Sequence, residues 1–291
     1  MDNKKLKDLA VRTASGAVML LIFVGAVLWS RWSALALFAV IMIGGLLEFY
    51  KLCRAKGYKP NVVLGIITSV FMFACMSVSF VTEDIGGASA ILFFLFFSVV
   101  LIPLVFVCEM WRKSETPIAN VATTFMGVLY VALPMSMLLL LPAILVRPGA
   151  ASNWALLAFM TIIWANDVFA YLVGVSIGKH RLCERLSPKK SWEGFIGGLL
   201  GAISLAIVFG YLFEGTTAAM IRWGGLGLIT AVTGVAGDLI ESMMKREVGV
   251  KDSGKIMPGH GGFLDRFDAL FISVPFVVIY LFLTITIMSI I

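Results

Sequence analysis

Three aspartates and a group of cations share one stretch of this sequence, residues 237–268, which reads GDLIESMMKREVGVKDSGKIMPGHGGFLDRFD. Asp238, Asp265 and Asp268 flank Lys245, Arg246, Lys251, Lys255 and Arg266, and the run begins and ends inside apolar sequence. A charged side chain within a membrane span costs about 2.5–3.5 kcal/mol even on the mildest insertion scale, so each should face a polar cavity and a partner. Oxygen donors without a Cys or His cluster select a hard cation, Mg2+ before Zn2+. A hard cation beside Lys, Arg and glycine-rich backbone is equipment for phosphoryl or nucleotidyl transfer, where positioning and charge neutralisation carry most of the rate. The residues alone therefore point to metal-dependent phosphate transfer and leave the substrates open.

Asp238, Glu241, Ser242 and Lys245 fall at i, i+3, i+4 and i+7 and share one helix face. Asp238 is about 10 Å deeper than Lys245 at 1.5 Å per residue. Gly234 and Gly237, one turn apart, predict a close helix approach beside it. A second apolar stretch repeats the pattern with Asn166, Asp167, Tyr171 and Gly174, so the two aspartate-bearing spans are expected to face each other. It is followed by Gly178, Lys179 and His180, then by Ser187-Pro-Lys-Lys-Ser-Trp-Glu-Gly194. Ser187, Pro188 and Ser191 at a helix entrance form an expected anion-binding turn, with Lys189 and Lys190 supplying charge. Taken alone, that run serves equally well as a capped helix start with topology lysines. Further on, Gly261 and Gly262 would let backbone approach a phosphate, and His260 is expected to contact a phosphate or carboxylate. His260 has no second histidine nearby and no HExxH context, which argues against zinc.

The elements that must position these groups are membrane helices. The chain has 291 residues, 60% hydrophobic and 14% charged, where a soluble domain carries roughly a quarter charged residues. Long apolar runs recur, and only helices satisfy their backbone groups within such runs in lipid. The reading is an all-α polytopic membrane protein with nine spans, at about 11–30, 33–53, 61–81, 89–108, 120–146, 154–176, 193–213, 224–246 and 266–288. Pro134 and Pro142 predict a kink in the fifth. The basic start with its long apolar run reads as an uncleaved first span. Nine spans put twenty of the 23 Lys and Arg residues on one side and leave only Arg31, Arg147 and Arg222 on the other. By the positive-inside rule the crowded side, with the N-terminus, is cytoplasmic. Cys53, Cys75, Cys108 and Cys183 form no CxxC pair and read as buried thiols. Residues 1–153 are expected to be scaffold, facing lipid or a second copy in a homodimer, and 154–291 to be the catalytic region. The loop at 247–265 is too rich in particular residue types to be a mere connector.

The run Ser242-x-x-Lys-Arg-x4-Lys-Asp-x-Gly-x3-Pro-Gly-His-Gly-Gly-x-x-Asp-Arg-x-Asp268 resembles the signature of the phosphatidate cytidylyltransferases, or CDP-diacylglycerol synthases, at nearly every fixed position. Gly237-Asp-x-x-Glu-Ser, Trp164-x-x-Asp-x-x-Ala-Tyr171 and SPKKSWEG are similar to the family's other blocks, so the likeness is tight over 164–268. Met257 and Val168 are mild departures that touch no ligand position. The resemblance implies transfer of CMP from CTP to phosphatidate, giving CDP-diacylglycerol and pyrophosphate, with Mg2+ and a second, monovalent cation such as K+ at the site. It implies Asp238 and Asp265 as metal ligands with Asp268 close by, in a bacterial cytoplasmic membrane with the site facing the cytosol. The substrates are then CTP and phosphatidate in a lipid bilayer, with no nucleic acid partner.

A phosphate monoester is already largely dianionic at neutral pH, its second pKa being about 6, so the attacking oxygen needs no general base. The obstacle is repulsion between that dianion and a triphosphate. Asp238, Asp265 and Asp268 are accordingly assigned to metal binding rather than proton transfer, with Lys245 and Arg246 as cationic partners in catalysis. Lys179, Lys189, Lys190 and Lys251, with Arg266, are assigned to phosphate contacts. Asp167, Tyr171, Ser187, Ser242, His260, Gly261 and Gly262 complete the expected substrate site. A transporter would carry polar groups toward both faces, whereas the embedded carboxylates here, Glu48, Asp167, Asp238 and Glu241, fall in one half of their spans. A CDP-alcohol phosphotransferase would carry a DGxxAR block, which is absent; a CTP-using lipid kinase stays open.

Overall fold

Helices account for nearly all of the fold, a computed structural model that describes residues 3–82, 88–145, 152–254, 256 and 261–290, by backbone alone at 3–12, 14, 88–99, 152 and 287–290. In chain order these are α1 (Asn3–Trp29), α2 (Arg31–Ala55), α3 (Val62–Thr82), α4 (Ala88–Arg112), α5 (Pro117–Gly127), a π-helical turn (Val128–Ala132), α6 (Leu133–Leu138), α7 (Leu141–Leu145), α8 (Ser152–Ile177), α9 (Trp192–Glu214), α10 (Thr217–Glu247) and α11 (Leu264–Ile290). Seven stretches among the described residues are long and apolar enough to cross a membrane: α2, α3, Pro117–Leu138, most of α8, α9, α10, and α11 to Thr286. α1 contributes a shorter apolar segment, Ser15–Trp29. The architecture is that of an all-α polytopic membrane protein.

Three departures from the sequence reading have physical causes. The kinked fifth span is broken into pieces. Proline lacks an N–H and its ring presses on the preceding turn; Pro134 is met by the wider π-helical turn, and Pro142 by an interruption at 139–140. Second, α10 starts at Thr217, so Arg222 lies within a helix rather than a loop. Its guanidinium is ion-paired with Glu214 and donates to the Leu145 carbonyl at 3.3 Å. Third, the stretch between α8 and α9 is a small antiparallel hairpin, β1 (Arg181–Cys183) with β2 (Ser187–Ser191), inside an otherwise helical chain. All four cysteines are free thiols; Cys75 is buried and the other three are half-buried.

The chain forms two compact units. One comprises Met1–Leu139 and Met244–Phe267; the other comprises Leu140–Met243 and Asp268–Ile291. In the first, α2 is central. Phe38, Ile41, Met42, Leu46 and Tyr50 are fully buried, and the Tyr50 hydroxyl donates to the Thr124 carbonyl at 2.8 Å. Asn120 ties the α4–α5 corner: its amide nitrogen donates to Glu109 at 2.6 Å and its oxygen accepts the Lys59 N–H at 2.6 Å. In the second, α8 lies close along α9 because the facing positions are small. A Cβ at Gly194 would meet the Ala170 carbonyl at 2.7 Å, and one at Gly198 the Asn166 carbonyl at 2.7 Å. Phe159, Trp223 and Phe271 fill the interior of this unit.

Candidate functional site

Helix α10 carries Asp238 and Glu241 on the face that meets the start of α11, and the approach is close. A Cβ on Gly237 would collide with the backbone of Asp268. One ligand oxygen from each of Asp238, Glu241 and Asp268 lies within 4.8 Å of the others. Glu241 is buried, while Asp238 and Asp268 are half-exposed. Asp238 accepts the Ser242 hydroxyl at 3.3 Å and is ion-paired with Lys190 of β2. Asp268 accepts the Ala269 N–H at 2.8 Å, and the charges that act on it are Asp238, Asp167 and Lys190. Asp167 of α8 and Asp238 of α10 thus both act electrostatically on Asp268 of α11 within this unit. Three carboxylates at this spacing repel one another, and the Lys190 ammonium on Asp238 offsets part of that charge. An all-oxygen donor set of this kind fits a hard divalent cation.

The hairpin delivers Lys190. Its end is fixed by Ser191, whose hydroxyl caps α9 by accepting the Gly194 N–H at 3.1 Å. The Trp192 N–H donates to the His180 carbonyl at 2.9 Å. Glu193, in the first turn of α9, accepts the Lys179 N–H at 3.1 Å and contacts His180 Nδ1 at 2.6 Å. Lys179, His180, Arg181, Glu184 and Trp192 line an open cleft here. Ser187, Lys189 and Lys190 therefore sit on a strand and not in the expected turn at a helix entrance. Backbone pairing across the hairpin holds the strand extended, so alternate residues point to opposite faces. Lys190 goes to Asp238, while Lys189 is exposed. Tyr171 is 69% exposed on α8.

The remaining candidates belong to the first unit. α10 ends on Gly249, at φ 71°, with Gly249 N–H bonded to the Arg246 carbonyl and Val250 N–H to the Lys245 carbonyl. That Schellman pattern stops the helix and turns the chain. Lys245 donates to Asp265 Oδ1 at 2.7 Å. Asp265 Oδ2 accepts the Ser253 N–H at 2.9 Å, the Ser253 hydroxyl at 2.9 Å and the Gly262 N–H at 2.8 Å. Gly261 takes φ 86°, a conformation open to glycine. Arg246, Lys251 and Arg266 are exposed, and Arg246 donates to the Val250 carbonyl at 3.2 Å. His260 and Lys255 lie outside the described residues.

The carboxylate set that the structure brings together is Asp238, Glu241 and Asp268, and Asp265 is engaged by Lys245, Ser253 and Gly262. Glu241 was legible from its place one turn after Asp238. Glu48 was not: a lone carboxylate in α2, 6% exposed, it accepts the Ser253 hydroxyl and the Leu264 N–H, each at 2.9 Å. Its only signal in the sequence is an acidic residue inside an apolar span.

Comparison with known proteins adds a second line. The sequence matches the cytidylyltransferase family over residues 10–284. It is 47% identical over 124 residues to a phosphatidate cytidylyltransferase of Haemophilus influenzae, covering 42% of this chain and 43% of the relative. Its likeness to the protein of that name from Staphylococcus aureus is 45% over 123 residues, covering 42% and 46%. With the one from Mycobacterium bovis it is 43% over 130 residues, covering 44% and 41%. The matched stretch spans less than half the length of each of these relatives.

Proposed function

The chain belongs to the cytidylyltransferase family, and we propose that it transfers CMP from CTP to phosphatidate, releasing pyrophosphate and leaving CDP-diacylglycerol in the membrane. The observation that carries this reading is the meeting of Asp238, Glu241 and Asp268 with the ammonium of Lys190 on Asp238. Those three carboxylates would hold Mg2+, whose chemistry is to neutralise phosphate charge and polarise the phosphoryl oxygen under attack. Asp265 is a further metal-ligand candidate, and K+ a second ion, on the strength of the sequence resemblance.

The residues then divide the work by charge. Lys190 and Lys245 are each delivered on an aspartate, a pairing that stores an ammonium ready to move onto an incoming phosphate. Lys179, Lys189, Arg246, Lys251 and Arg266 are the cations proposed to meet the triphosphate and the lipid phosphate. Gly261 would offer a backbone N–H and His260 a polar side chain, while the Gly262 N–H orients Asp265 and its lack of a side chain keeps the loop close. Ser242 and Ser187 are hydroxyl donors, and Asp167 and Tyr171 line the approach. The lipid phosphate attacks as its dianion, so no residue is required to take a proton. Nine spans with a cytoplasmic N-terminus put every one of these groups on the cytosolic side, where CTP is found.

The test is direct. Purified protein supplied with radiolabelled CTP and phosphatidate is expected to yield a labelled lipid, and EDTA to abolish it. Label that stays in the aqueous phase with magnesium present, or a labelled product identified as a lipid phosphate, would overturn the assignment.

A further inference from the structure

Glu48 lies far along the chain from every motif described above, yet its carboxylate is built into the loop that carries Asp265. The helix that holds it, α2, packs against this loop through Gly44, where the Phe263 ring occupies the place of a side chain. One turn later, Glu48 Oε2 accepts two hydrogen bonds, from the Ser253 hydroxyl and from the N–H of Leu264, both at 2.9 Å. Leu264 is the first residue of α11, whose leading N–H groups have no partner within the helix. A side chain 216 positions away therefore caps it. Glu48 Oε1 has no hydrogen-bond partner among the described residues and is buried. A Cβ at Gly254 or Gly262 would collide with it, so only the Cα–H faces of these glycines can lie against this oxygen. Contacts of that kind are weak, second-order donors.

Burying a carboxylate this way is expensive, and a polar or apolar residue could have closed the loop at less cost. What the carboxylate gains is a fixed Ser253. The Ser253 hydroxyl lies 2.9 Å from Glu48 Oε2 and 2.9 Å from Asp265 Oδ2, so its single proton is shared between the two acids. Asp265 Oδ2 also takes two backbone N–H groups of the same loop, which leaves Oδ1 directed at Lys245. The chain of contacts runs Glu48, Ser253, Asp265, Lys245, entirely within one unit of the fold.

We infer that Glu48 is a positioning residue for the transfer reaction: acting through Ser253 and the head of α11, it sets the orientation of Asp265 and the Lys245 ammonium. The inference rests on the proposed cytidylyltransferase activity for its kinetic consequence, but its structural half does not. Glu48→Gln keeps the shape and one accepting oxygen while removing the buried negative charge. Ser253→Ala removes the shared hydroxyl.

The experiment measures turnover per folded molecule and backbone hydrogen exchange in purified wild type, Glu48→Gln, Ser253→Ala and the double variant. Expected are a fall in kcat of about tenfold or more for each single variant, with KM for CTP changed by less than about threefold. The double variant should lose little beyond the worse single one, because residues in one network are not additive. Protection at the amides of Ser253, Gly262 and Leu264 should fall in Glu48→Gln. Wild-type kcat in both single variants would overturn the inference, as would multiplicative losses in the double. Loosened amides with undiminished kcat would reduce Glu48 to a purely structural cap. If wild type makes no labelled lipid, the proposed activity fails, and unchanged amide protection then overturns the Glu48 assignment separately.

Discussion

Replacing Gly237 with alanine tests whether the spacing of α10 and α11 sets the carboxylate cluster. The added Cβ would run into the Asp268 carbonyl oxygen, with the carbonyl carbon at 3.0 Å and Ala269 Cα at 3.1 Å. All three atoms are backbone, so none can swing aside, and the helices must separate by at least a few tenths of an ångström. Overpacking of this kind costs about 1–3 kcal/mol. Alanine in place of a helical glycine returns about 1 kcal/mol, leaving a net loss of about 0–2 kcal/mol in stability. Activity should suffer more. Asp238 follows Gly237 directly, and Asp268 is the residue displaced, so the error falls on two of the three carboxylates proposed to hold the ion. A misplacement of about 1 Å can cost a hundredfold in rate, and half that error about tenfold. Gly234→Ala, one turn earlier on the same helix, is the control. Its Cβ would meet Ala269 Cβ at 3.5 Å and Ser273 Oγ at 3.6 Å, ordinary contacts that require no movement. Turnover of labelled CTP and the melting temperature of the detergent-purified protein are measured for both. The expected result is a tenfold to hundredfold fall in kcat for Gly237→Ala and near-native values for Gly234→Ala. Equal activity in the two variants would refute the argument that this helix approach positions the acids.

Three further outcomes are expected. Glu241→Gln should raise the magnesium concentration needed for half-maximal turnover about tenfold or more; an unchanged magnesium titration would take Glu241 out of the ligand set. Asp265→Asn should reduce lipid labelling to background while the protein still elutes as a folded species, and near-native turnover would remove Asp265 from the site. Ser191→Ala deletes the α9 cap, worth about 1 kcal/mol, and should lower the melting temperature by about 2–4 °C. An unshifted transition would mean that the Gly194 N–H finds another acceptor.

Periodicity made α8, α9 and α11 legible in the sequence to within a few residues, because long apolar runs in lipid have one way to satisfy their backbone. The shared face of Asp238, Glu241 and Ser242 followed from helical spacing alone, and the close approach at Gly237 from two glycines one turn apart. The hairpin at 181–191 was not legible: its five-residue strand SPKKS has the composition of a turn, and backbone pairing with Arg181–Cys183 decides its form. Glu48 was hidden for a different reason. Its partners, Ser253 and Leu264, lie 205 and 216 positions away, and no local pattern encodes a contact at that range. Asp265 shows the limit from the other side. The motif marks it as important, but only the geometry reveals that three donors of its own loop converge on one of its oxygens.

The central claim is that Asp238, Glu241 and Asp268 together hold a divalent ion. Titrating purified protein with Mn2+ and following free Mn2+ by electron paramagnetic resonance addresses it without any turnover. The account predicts one tight site in wild type and its loss in Asp268→Asn and Glu241→Gln, with Gly234→Ala unchanged. Undiminished Mn2+ binding in both carboxylate variants would contradict it.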